Sequence, residues 1–489
     1  MGARILLALA SAALVAALLE GGARLIEGNP PWEEPLPPKA LGTLRVAVVG
    51  GSTVYGTPLP ELGFVSQLEF LFAELGSGPS VEVINLGGLA SSSDWARRTA
   101  SHAIATGKLD ALVVLTAHNE FLNRSGENSR IRGWIWEGML HSALVRTVTR
   151  YTGGTRSAMP ERLNPVDREN TWFRQRLERY RENISEMVTD AQGHGVPVLL
   201  MTAPANLADW PPVHHDVAWS LADPNYDAHV AELEALIEAG ELDAAERNAH
   251  AWRLEFGEDA MFSFLEGQVA RKRGDLESAR RLFRRAADLD PYPWRVLSQQ
   301  NDFIRELARS EGVVLVDIES VFTQEAPGGL VGFPLVGDNV HPTPLGGSLM
   351  ALELAKGLRQ AGLPLAVPDT DYAARTERFL APRFDLKLAY LWLLLHGRYC
   401  MKTPFYDYAA ARNYLESARQ LAPLQWMAQA NLGAISLLEG DPENGLRLLR
   451  EAARLRGEPL DPKADRVEIP MLGVALDKAG LGPDDLAAP

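Results

Sequence analysis

The sequence predicts an α/β protein built on a parallel β-sheet, with helices on both faces and additional helical hairpins. Five short apolar runs rich in β-branched residues alternate with amphipathic helical patterns, which is typical of strands joined by helical crossovers. More than one hundred residues separate the fourth run from the fifth, and a 34-residue self-match lies in that gap. A second match of the same period lies near the C-terminus.

Composition limits the classes of protein that this chain can belong to. It has 489 residues, of which 46% are hydrophobic and 23% are charged, as in ordinary globular proteins of more than one domain. The 48 basic residues against 63 acidic residues give a net charge of -15, which argues against nucleic-acid partners. Cys400 is the single cysteine, so intrachain disulfides, CxxC redox pairs and thiolate zinc clusters are excluded.

The N-terminus resembles a targeting signal. An uncharged apolar run of 15 residues, 5–19, follows Arg4, and its helical pattern continues to Ile26. No clear cleavage site follows. We therefore predict that residues 1–26 form an uncleaved signal anchor, and we prefer this to the two alternatives, a removed signal peptide and a buried N-terminal helix. The proline-rich residues 27–43 predict a stiff linker. Together they predict a single-pass membrane protein whose body is extracytoplasmic, in the periplasm or cell envelope.

The α/β body follows the linker. The strand LRVAVVG precedes a helix around 64–75, VEVINLG precedes a helix around 95–105, and DALVVLTA forms the third strand. A long amphipathic helix near 173–192 leads into the strand VPVLLMTAP, and VVLVDI forms the fifth strand. The predicted body comprises residues 44–205 and 294–365. Ligands of such sheets bind at the carboxyl ends of the strands.

Helical pairs are predicted in the insert at residues 206–293 and in the C-terminal region at residues 366–489. In the insert, GEL at 240–242 recurs as GDL at 274–276, and near the C-terminus small residues recur with the same period. The period resembles that of tetratricopeptide repeats, which would imply a protein or peptide partner. Helical hairpins with coincidental spacing are the alternative. Each match has only two units, so we expect these helices to pack on the body or on each other.

A serine lies in a glycine-rich turn after the first strand. Ser52 is part of VGGSTVYG, at the carboxyl end where ligands are expected. Such a turn alone is more often structural or phosphate-binding than nucleophilic. It is not a GxSxG elbow, because Val54 replaces the second glycine, and no GK[ST] follows to make a phosphate loop.

An activated serine needs a base, and the base needs a group that holds its tautomer. Of ten histidines only His341 has an acid, Asp338, three residues before it, in DNVHPT. On a turn that leads into a helix, this spacing lets Asp338 bind one ring nitrogen and leaves the other for Ser52. His118 and the pair at 214–215 are the competing histidines.

Acyl transfer also needs hydrogen-bond donors for the developing oxyanion, each worth roughly 3 to 4 kcal/mol. The second strand ends in the small-residue turn NLGGLAS, which offers bare backbone N–H groups. Asn119 follows the third strand, in AHNE, and offers a side-chain amide at the same edge. Taken alone, Asn119 is equally well explained as a turn or cap residue.

These residues together resemble the GDSL/SGNH hydrolase family, whose sequence blocks occur in this order. Ser52 corresponds to the nucleophile, although the family's usual GDS is here GGS. Asn119 corresponds to the asparagine of the third block, with AHNE in place of GxND. Asp338 and His341 correspond to the DxxH of the last block. The resemblance covers roughly residues 44–204 and 294–362 and implies a three-layer sandwich.

The resemblance also implies an oxyanion hole. Ser52 N–H, the backbone N–H at the position of Ala90 and the Asn119 amide would form it. Ala90 stands where the family has glycine, so Gly87 or Gly88 are alternatives for that donor.

The activity implied by the resemblance is hydrolysis of an O-acyl ester of a lipid, a glycan or a small molecule through an acyl-enzyme. Ser52 would attack with His341 as base and Asp338 as its orienting acid, without a metal or organic cofactor. Two alternatives stay open. The acyl group could pass to a cell-envelope glycan, as in an O-acyltransferase, or the chain could be a non-catalytic, membrane-tethered scaffold that recruits partners through its repeats.

Three further features allow weaker expectations. The insert could overhang the catalytic edge and shape a pocket. Arg295 could bind an anionic substrate group, with a surface salt bridge as the preferred alternative. The tryptophan patch at 134–136 could contact lipid or cover the site, with plain packing as the safer assumption.

Overall fold

The centre of the protein is a five-stranded, all-parallel β-sheet with the strand order β2-β1-β3-β4-β5. A computed structural model describes residues 35–75, 78–121, 171–213, 225–367, 371–383, 385–401 and 407–486. The strands are β1 Thr43–Gly50, β2 Ser80–Gly87, β3 Ala111–Leu115, β4 Val198–Met201 and β5 Val314–Val316. This sheet confirms the predicted α/β class.

Register explains why chemistry-bearing turns meet at one edge of the sheet. Gly50, at the end of β1, lies opposite Gly87 of β2 and Leu115 of β3. Because the three strands run in parallel and end in line, the turns that follow them are neighbours. The central strands β1 and β3 are almost completely buried, as expected of a sheet that is covered on both faces.

Helices cover both faces of the sheet. The first four are α1 Ser52–Tyr55, α2 Phe64–Leu75, α3 Ser93–Thr106 and α4 Thr171–Gly193. The insert supplies α5 Tyr226–Ala239, α6 Leu242–Phe256, α7 Ala260–Arg273 and α8 Leu276–Leu289, and the body continues with α9 Ser298–Ser310, α10 Ile318–Glu325 and α11 Pro344–Gln360. Helices α2 and α11 contact each other on one face, and α3, α4 and α9 cover the other, as right-handed crossovers require for this strand order.

The insert forms the predicted helical pairs. Gly240 ends α5 and Gly274 ends α7, both in the left-handed conformation that glycine adopts without strain. A Cβ on Gly267 of α7 would lie 2.7 Å from the Phe283 ring of α8, so the glycine lets these two helices approach closely. Apolar side chains of the insert belong to the same buried cluster as the sheet. Whether the pairs belong to the tetratricopeptide class stays a prediction.

The C-terminal region adds further helices. They are α12 Tyr372–Leu380, α13 Leu386–Cys400, α14 Tyr408–Leu421, α15 Trp426–Leu438, α16 Pro442–Arg456 and α17 Leu472–Ala479. Helices α13 to α17 share a second buried cluster, which Trp210 from the loop after β4 joins. Helices α13 to α17 therefore have a core of their own, whereas α12 packs on the body, where Arg375 binds Glu74 of α2 at 2.7 Å.

The predicted membrane location requires correction. Within the described ranges, none of the helices combines the length and the apolar character that a bilayer span needs. This finding overturns the predicted single-pass anchor and the extracytoplasmic location inferred from it. Residues 1–26, where the anchor was placed, and residues 27–34 of the linker lie outside the described ranges. Their longest uncharged apolar run has 15 residues, short of the roughly 20 that a spanning helix needs.

Candidate active site

The turn after β1 places Ser52 at the N-terminus of the short helix α1. A Cβ on Gly50 would lie 2.0 Å from the Leu115 carbonyl oxygen, so only glycine lets β1 and β3 approach as they do. Gly51 then precedes α1 in extended conformation, and Ser52 is its first helical residue. The Ser52 side chain is nearly buried, at 7% exposure. The two glycines of the GGS turn therefore allow the backbone before Ser52 to pass close to the neighbouring strand and turn.

Ser52, His341 and Asp338 form a continuous hydrogen-bonded chain, although 289 residues separate the serine from the histidine. His341 Nε2 lies 2.8 Å from Ser52 Oγ. On the other side of the ring, His341 Nδ1 lies 2.7 Å from Asp338 Oδ2. The three residues singled out by the sequence pattern are brought together with the spacing that a nucleophile, a base and an orienting acid require.

The short spacing between Asp338 and His341 works because the loop folds around the carboxylate. Asp338 Oδ1 accepts hydrogen bonds of 2.8 Å from the backbone N–H groups of Val340 and His341. Gly337 N–H donates to the His341 carbonyl, which closes the loop. Thr343 then caps α11 through Gly346 N–H. The DxxH pattern is thus a tight turn that leads into a helix.

Electrostatics keep Asp338 ionised. Burial disfavours its charged form, but the positive charge that His341 can carry and the hydrogen bonds from His341 outweigh that cost, so the pKa of Asp338 lies below its usual value. An ionised Asp338 accepts the Nδ1–H of the imidazole and leaves Nε2 as an acceptor for the Ser52 hydroxyl. The arrangement can therefore move the serine proton to His341.

The three predicted oxyanion donors lie at this sheet edge. A Cβ on Gly51 would lie 3.1 Å from the Ser91 carbonyl oxygen, so the turn that carries Ala90 adjoins the turn that carries Ser52. Ala90 and Asn119 both have positive φ, 51° and 67°. Among the described residues, no hydrogen bond partner is seen for Ser52 N–H, Ala90 N–H or the Asn119 side-chain amide. These donors are available to a bound oxygen.

The glycine alternatives to Ala90 are already engaged. Gly87 N–H donates to Asn85 Oδ1 at 3.0 Å, and Gly88 N–H donates to the Gly50 carbonyl at 3.0 Å. The first bond closes the turn on Asn85, and the second joins the turn to the end of β1. The structure therefore favours Ala90 as the second backbone donor.

A buried ion cluster behind Asn119 was missed at the level of sequence. Arg176 of α4 binds Asp94 at 2.6 Å and Glu120 at 3.0 Å, and its Nε donates to the Glu120 carbonyl at 2.7 Å. Burial raises the pKa of Glu120 to about 7, although the Arg176 charge opposes the rise. The cluster anchors the residue next to Asn119 and so holds the turn after β3. In the sequence, the acid of AHNE, Glu120, is the one sign of this cluster that lies next to Asn119.

His118 does not replace His341. His118 is buried beside the site, and burial together with the nearby His341 lowers its pKa to about 3. Hydrogen bonds with the backbone of Pro204 and Trp294 oppose this lowering but do not outweigh it. The pair at 214–215 and the tryptophan patch at 134–136 lie outside the described residues.

Arg295 forms a salt bridge, as the preferred alternative expected, but the pair is buried and not on the surface. Its side chain is 2% exposed and binds Asp290 at 3.0 Å and the carbonyls of Asn206 and Trp210 at 3.1 and 2.7 Å. It joins the end of the insert to the loop after β4. Gln268 of α7 donates to the Ala208 carbonyl of the same loop. The described insert thus adjoins the β4 side of the catalytic edge.

Comparison with known proteins found no matching family model and no matching curated protein. Solved structures with a similar chain course include a GDSL-like lipase from Bacteroides thetaiotaomicron (11% identity, TM-score 0.30, covering 65% of this chain and 88% of that one). Another is a lipase/acylhydrolase from Enterococcus faecalis (12% identity, TM-score 0.33, covering 67% of this chain and 100% of that one). A third is TesA (13% identity, TM-score 0.29, covering 65% of this chain and 99% of that one). At such identities and TM-scores these likenesses do not assign a family or an activity.

Proposed function

We propose that the protein is a serine ester hydrolase that cleaves an O-acyl ester through an acyl-enzyme. The observation that carries the proposal is the hydrogen-bonded chain from Ser52 Oγ through the His341 ring to Asp338, with links of 2.8 and 2.7 Å. Three hydrogen-bond donors at the same sheet edge, which have no partner among the described residues, support it, because acyl transfer also requires stabilisation of an oxyanion. The substrate is an ester of a lipid, a glycan or a small molecule.

The first half of the reaction forms the acyl-enzyme. Ser52 Oγ bonds to the ester carbonyl carbon while its proton passes to His341 Nε2. The carbonyl oxygen becomes an oxyanion that accepts hydrogen bonds from Ser52 N–H, Ala90 N–H and the Asn119 amide. The bond to the leaving alkoxy group then breaks, and His341 returns its proton to the alcohol that departs.

The second half releases the acid. Water loses a proton to His341 Nε2 and its oxygen bonds to the acyl carbon. The bond between that carbon and Ser52 Oγ then breaks, and the proton returns to the serine. Throughout both halves Asp338 stays ionised, holds the ring orientation and stabilises the imidazolium. Its lowered pKa supports this role.

A panel of p-nitrophenyl esters with short and long acyl chains tests the proposal. Wild-type protein is expected to release p-nitrophenol and one equivalent of free acid, whereas Ser52→Ala should lose kcat by about 10⁴-fold or more. Ser66→Ala is the matched control, because Ser66 Oγ on α2 contacts only the Pro60 carbonyl among the described residues. Equal turnover by wild type and Ser52→Ala would remove the serine mechanism.

The helical pairs suggest a second component of function. We propose that they recruit a protein or peptide partner, in keeping with their 34-residue period. Pull-down with the Ser52→Ala protein as bait separates this role from turnover. A partner retained equally by wild type and by that variant would support recruitment, and the absence of any retained partner would count against it.

A further inference from the structure

We propose that the C-terminal helices α13 and α14 position the loop that carries Asp338 and His341, with Tyr399 and Tyr414 as the positioning residues. This inference rests on the proposed esterase function. It assigns the C-terminal region a part in the chemistry, although the family resemblance ends before that region begins.

The first contact comes from α13. The Tyr399 ring meets the His341 ring edge to face, with 5.8 Å between ring centroids and an interplanar angle of 73°. The Tyr399 hydroxyl donates to Asn339 Oδ1 at 3.3 Å. One side chain therefore touches both the catalytic ring and the loop residue that follows Asp338.

The second contact comes from α14 and from the face of α13 beside it. The Tyr414 hydroxyl donates to the Gly337 carbonyl. His396 packs against the same glycine, where a Cβ would lie 2.9 Å from His396 Nε2. Trp392 completes the patch, with its ring 4.1 Å from that of His396 and 5.8 Å from that of Tyr414. Gly337 therefore packs against the aromatic side chains of Trp392, His396 and Tyr414.

These contacts bracket the orienting acid. Gly337 and Asn339 flank Asp338, and each of them receives a hydroxyl from a C-terminal helix. From the loop after β4, Asn206 donates its N–H to the Asn339 carbonyl. The catalytic loop is thus bound both by the loop after β4 and by the C-terminal helices. A displacement of about 1 Å at such a site can lower a rate by about 10²-fold.

The distribution of polar contacts separates positioning from plain packing. The apolar side chains of α13 to α17 form their own buried cluster. The hydroxyls of Tyr399 and Tyr414, in contrast, leave that cluster and bind polar groups of the catalytic loop. A phenylalanine ring would fill the same space as each tyrosine ring. The hydrogen bonds of the two hydroxyl groups therefore indicate that these tyrosines position the catalytic loop.

The double variant Tyr399→Phe/Tyr414→Phe tests the inference in the full-length protein. It removes both hydroxyls and keeps both rings. We expect kcat per active site to fall about tenfold with KM changed less than twofold, because the substrate contacts stay in place. Tyr399→Leu, which also removes the ring edge from His341, should lose more activity than Tyr399→Phe.

A fluorophosphonate probe separates positioning from loss of structure. Its end-point labelling counts competent sites, and its labelling rate reports the reactivity of each site. Positioning predicts full end-point labelling at a slower rate, whereas a structural role predicts fewer labelled sites with wild-type rate and kcat per site. The second result would overturn the inference.

Tyr390→Phe is the matched control, because Tyr390 lies buried on α13 and its hydroxyl accepts the Ala428 N–H instead of contacting the loop. We expect it to keep wild-type kcat and labelling rate. An equal loss in Tyr390→Phe would contradict a role specific to the loop. Wild-type protein without Ser52-dependent labelling would overturn the proposed function and this inference together, whereas active wild type with an unaffected double variant would overturn this inference alone.

Discussion

At the scale of single residues, the Asp338 carboxylate decides which nitrogen of His341 carries the proton. Asp338→Asn would keep the size of the side chain but offer an amide to Nδ1, which favours the wrong tautomer. In serine hydrolases with this arrangement the change lowers kcat by about 10⁴-fold. We expect a loss of that order in ester turnover with little change in KM. Asp302→Asn, at a largely exposed position on α9, is the control.

The lowered pKa of His118 predicts how the free energy of unfolding depends on pH. Its pKa is lowered from 6.5 to about 3, mainly by burial. Below pH 6.5 the unfolded chain therefore binds a proton that the folded chain does not accept until about pH 3. Acid thus favours unfolding over this window, by up to about 1.4 kcal/mol for each pH unit. Stability from this source is fully present above pH 6.5 and is lost as the pH falls.

Chemical denaturation at several pH values measures this effect. Wild-type protein should lose free energy of unfolding from pH 6.5 towards pH 3 more steeply than His118→Gln, which cannot titrate. The difference between the two slopes isolates His118 from the other titrating groups. Identical slopes would show that the folded protein accepts the proton at His118 readily.

At the scale of elements, Gly87 at the end of β2 allows that strand to lie directly against the backbone of helix α1. A Cβ on Gly87 would lie 2.1 Å from the Tyr55 backbone nitrogen. We expect Gly87→Ala to lower the free energy of unfolding by about 1 to 3 kcal/mol, because the backbone of α1 would have to move. Gly473→Ala on α17, where the nearest atom would lie 3.8 Å away, should be neutral or slightly stabilising. Thermal unfolding compares them.

Features that local patterns encode can be predicted from the sequence. The five strands follow from short β-branched runs, and the pairing of Asp338 with His341 follows from a three-residue spacing on a turn into a helix. The choice among Ala90, Gly87 and Gly88 could not be made from sequence, because it depends on which N–H groups the folded turn already uses. The contacts of Tyr399 and Tyr414 with the loop could not be predicted either, because no local pattern relates residues so far apart.

At the scale of the whole molecule, a buried arginine joins the end of the insert to the loop after β4, and a buried carboxylate pairs with it. Arg295 and Asp290 are 2% and 6% exposed. Arg295→Ala would leave the Asp290 charge buried without its partner, and we expect it to cost about 3 to 5 kcal/mol of unfolding free energy. Arg281→Ala, which breaks an exposed pair with Glu277 on α8, should cost less than about 1 kcal/mol. An equally small effect at Arg295 would contradict its role as the joint.

The insert and the C-terminal region relate differently to the sheet. Apolar residues of the insert share the core of the sheet, whereas helices α13 to α17 have their own core and reach the body at the catalytic loop and the loop after β4.

The most direct test of the Ser52–His341–Asp338 triad is covalent labelling of the full-length protein with a fluorophosphonate, followed by peptide mass spectrometry. We expect one adduct per chain, located on Ser52, and loss of that adduct in both Ser52→Ala and His341→Gln while Ser66→Ala labels like wild type. An adduct that persists at full rate in Ser52→Ala, or labelling of Ser52 that does not depend on His341, would contradict it.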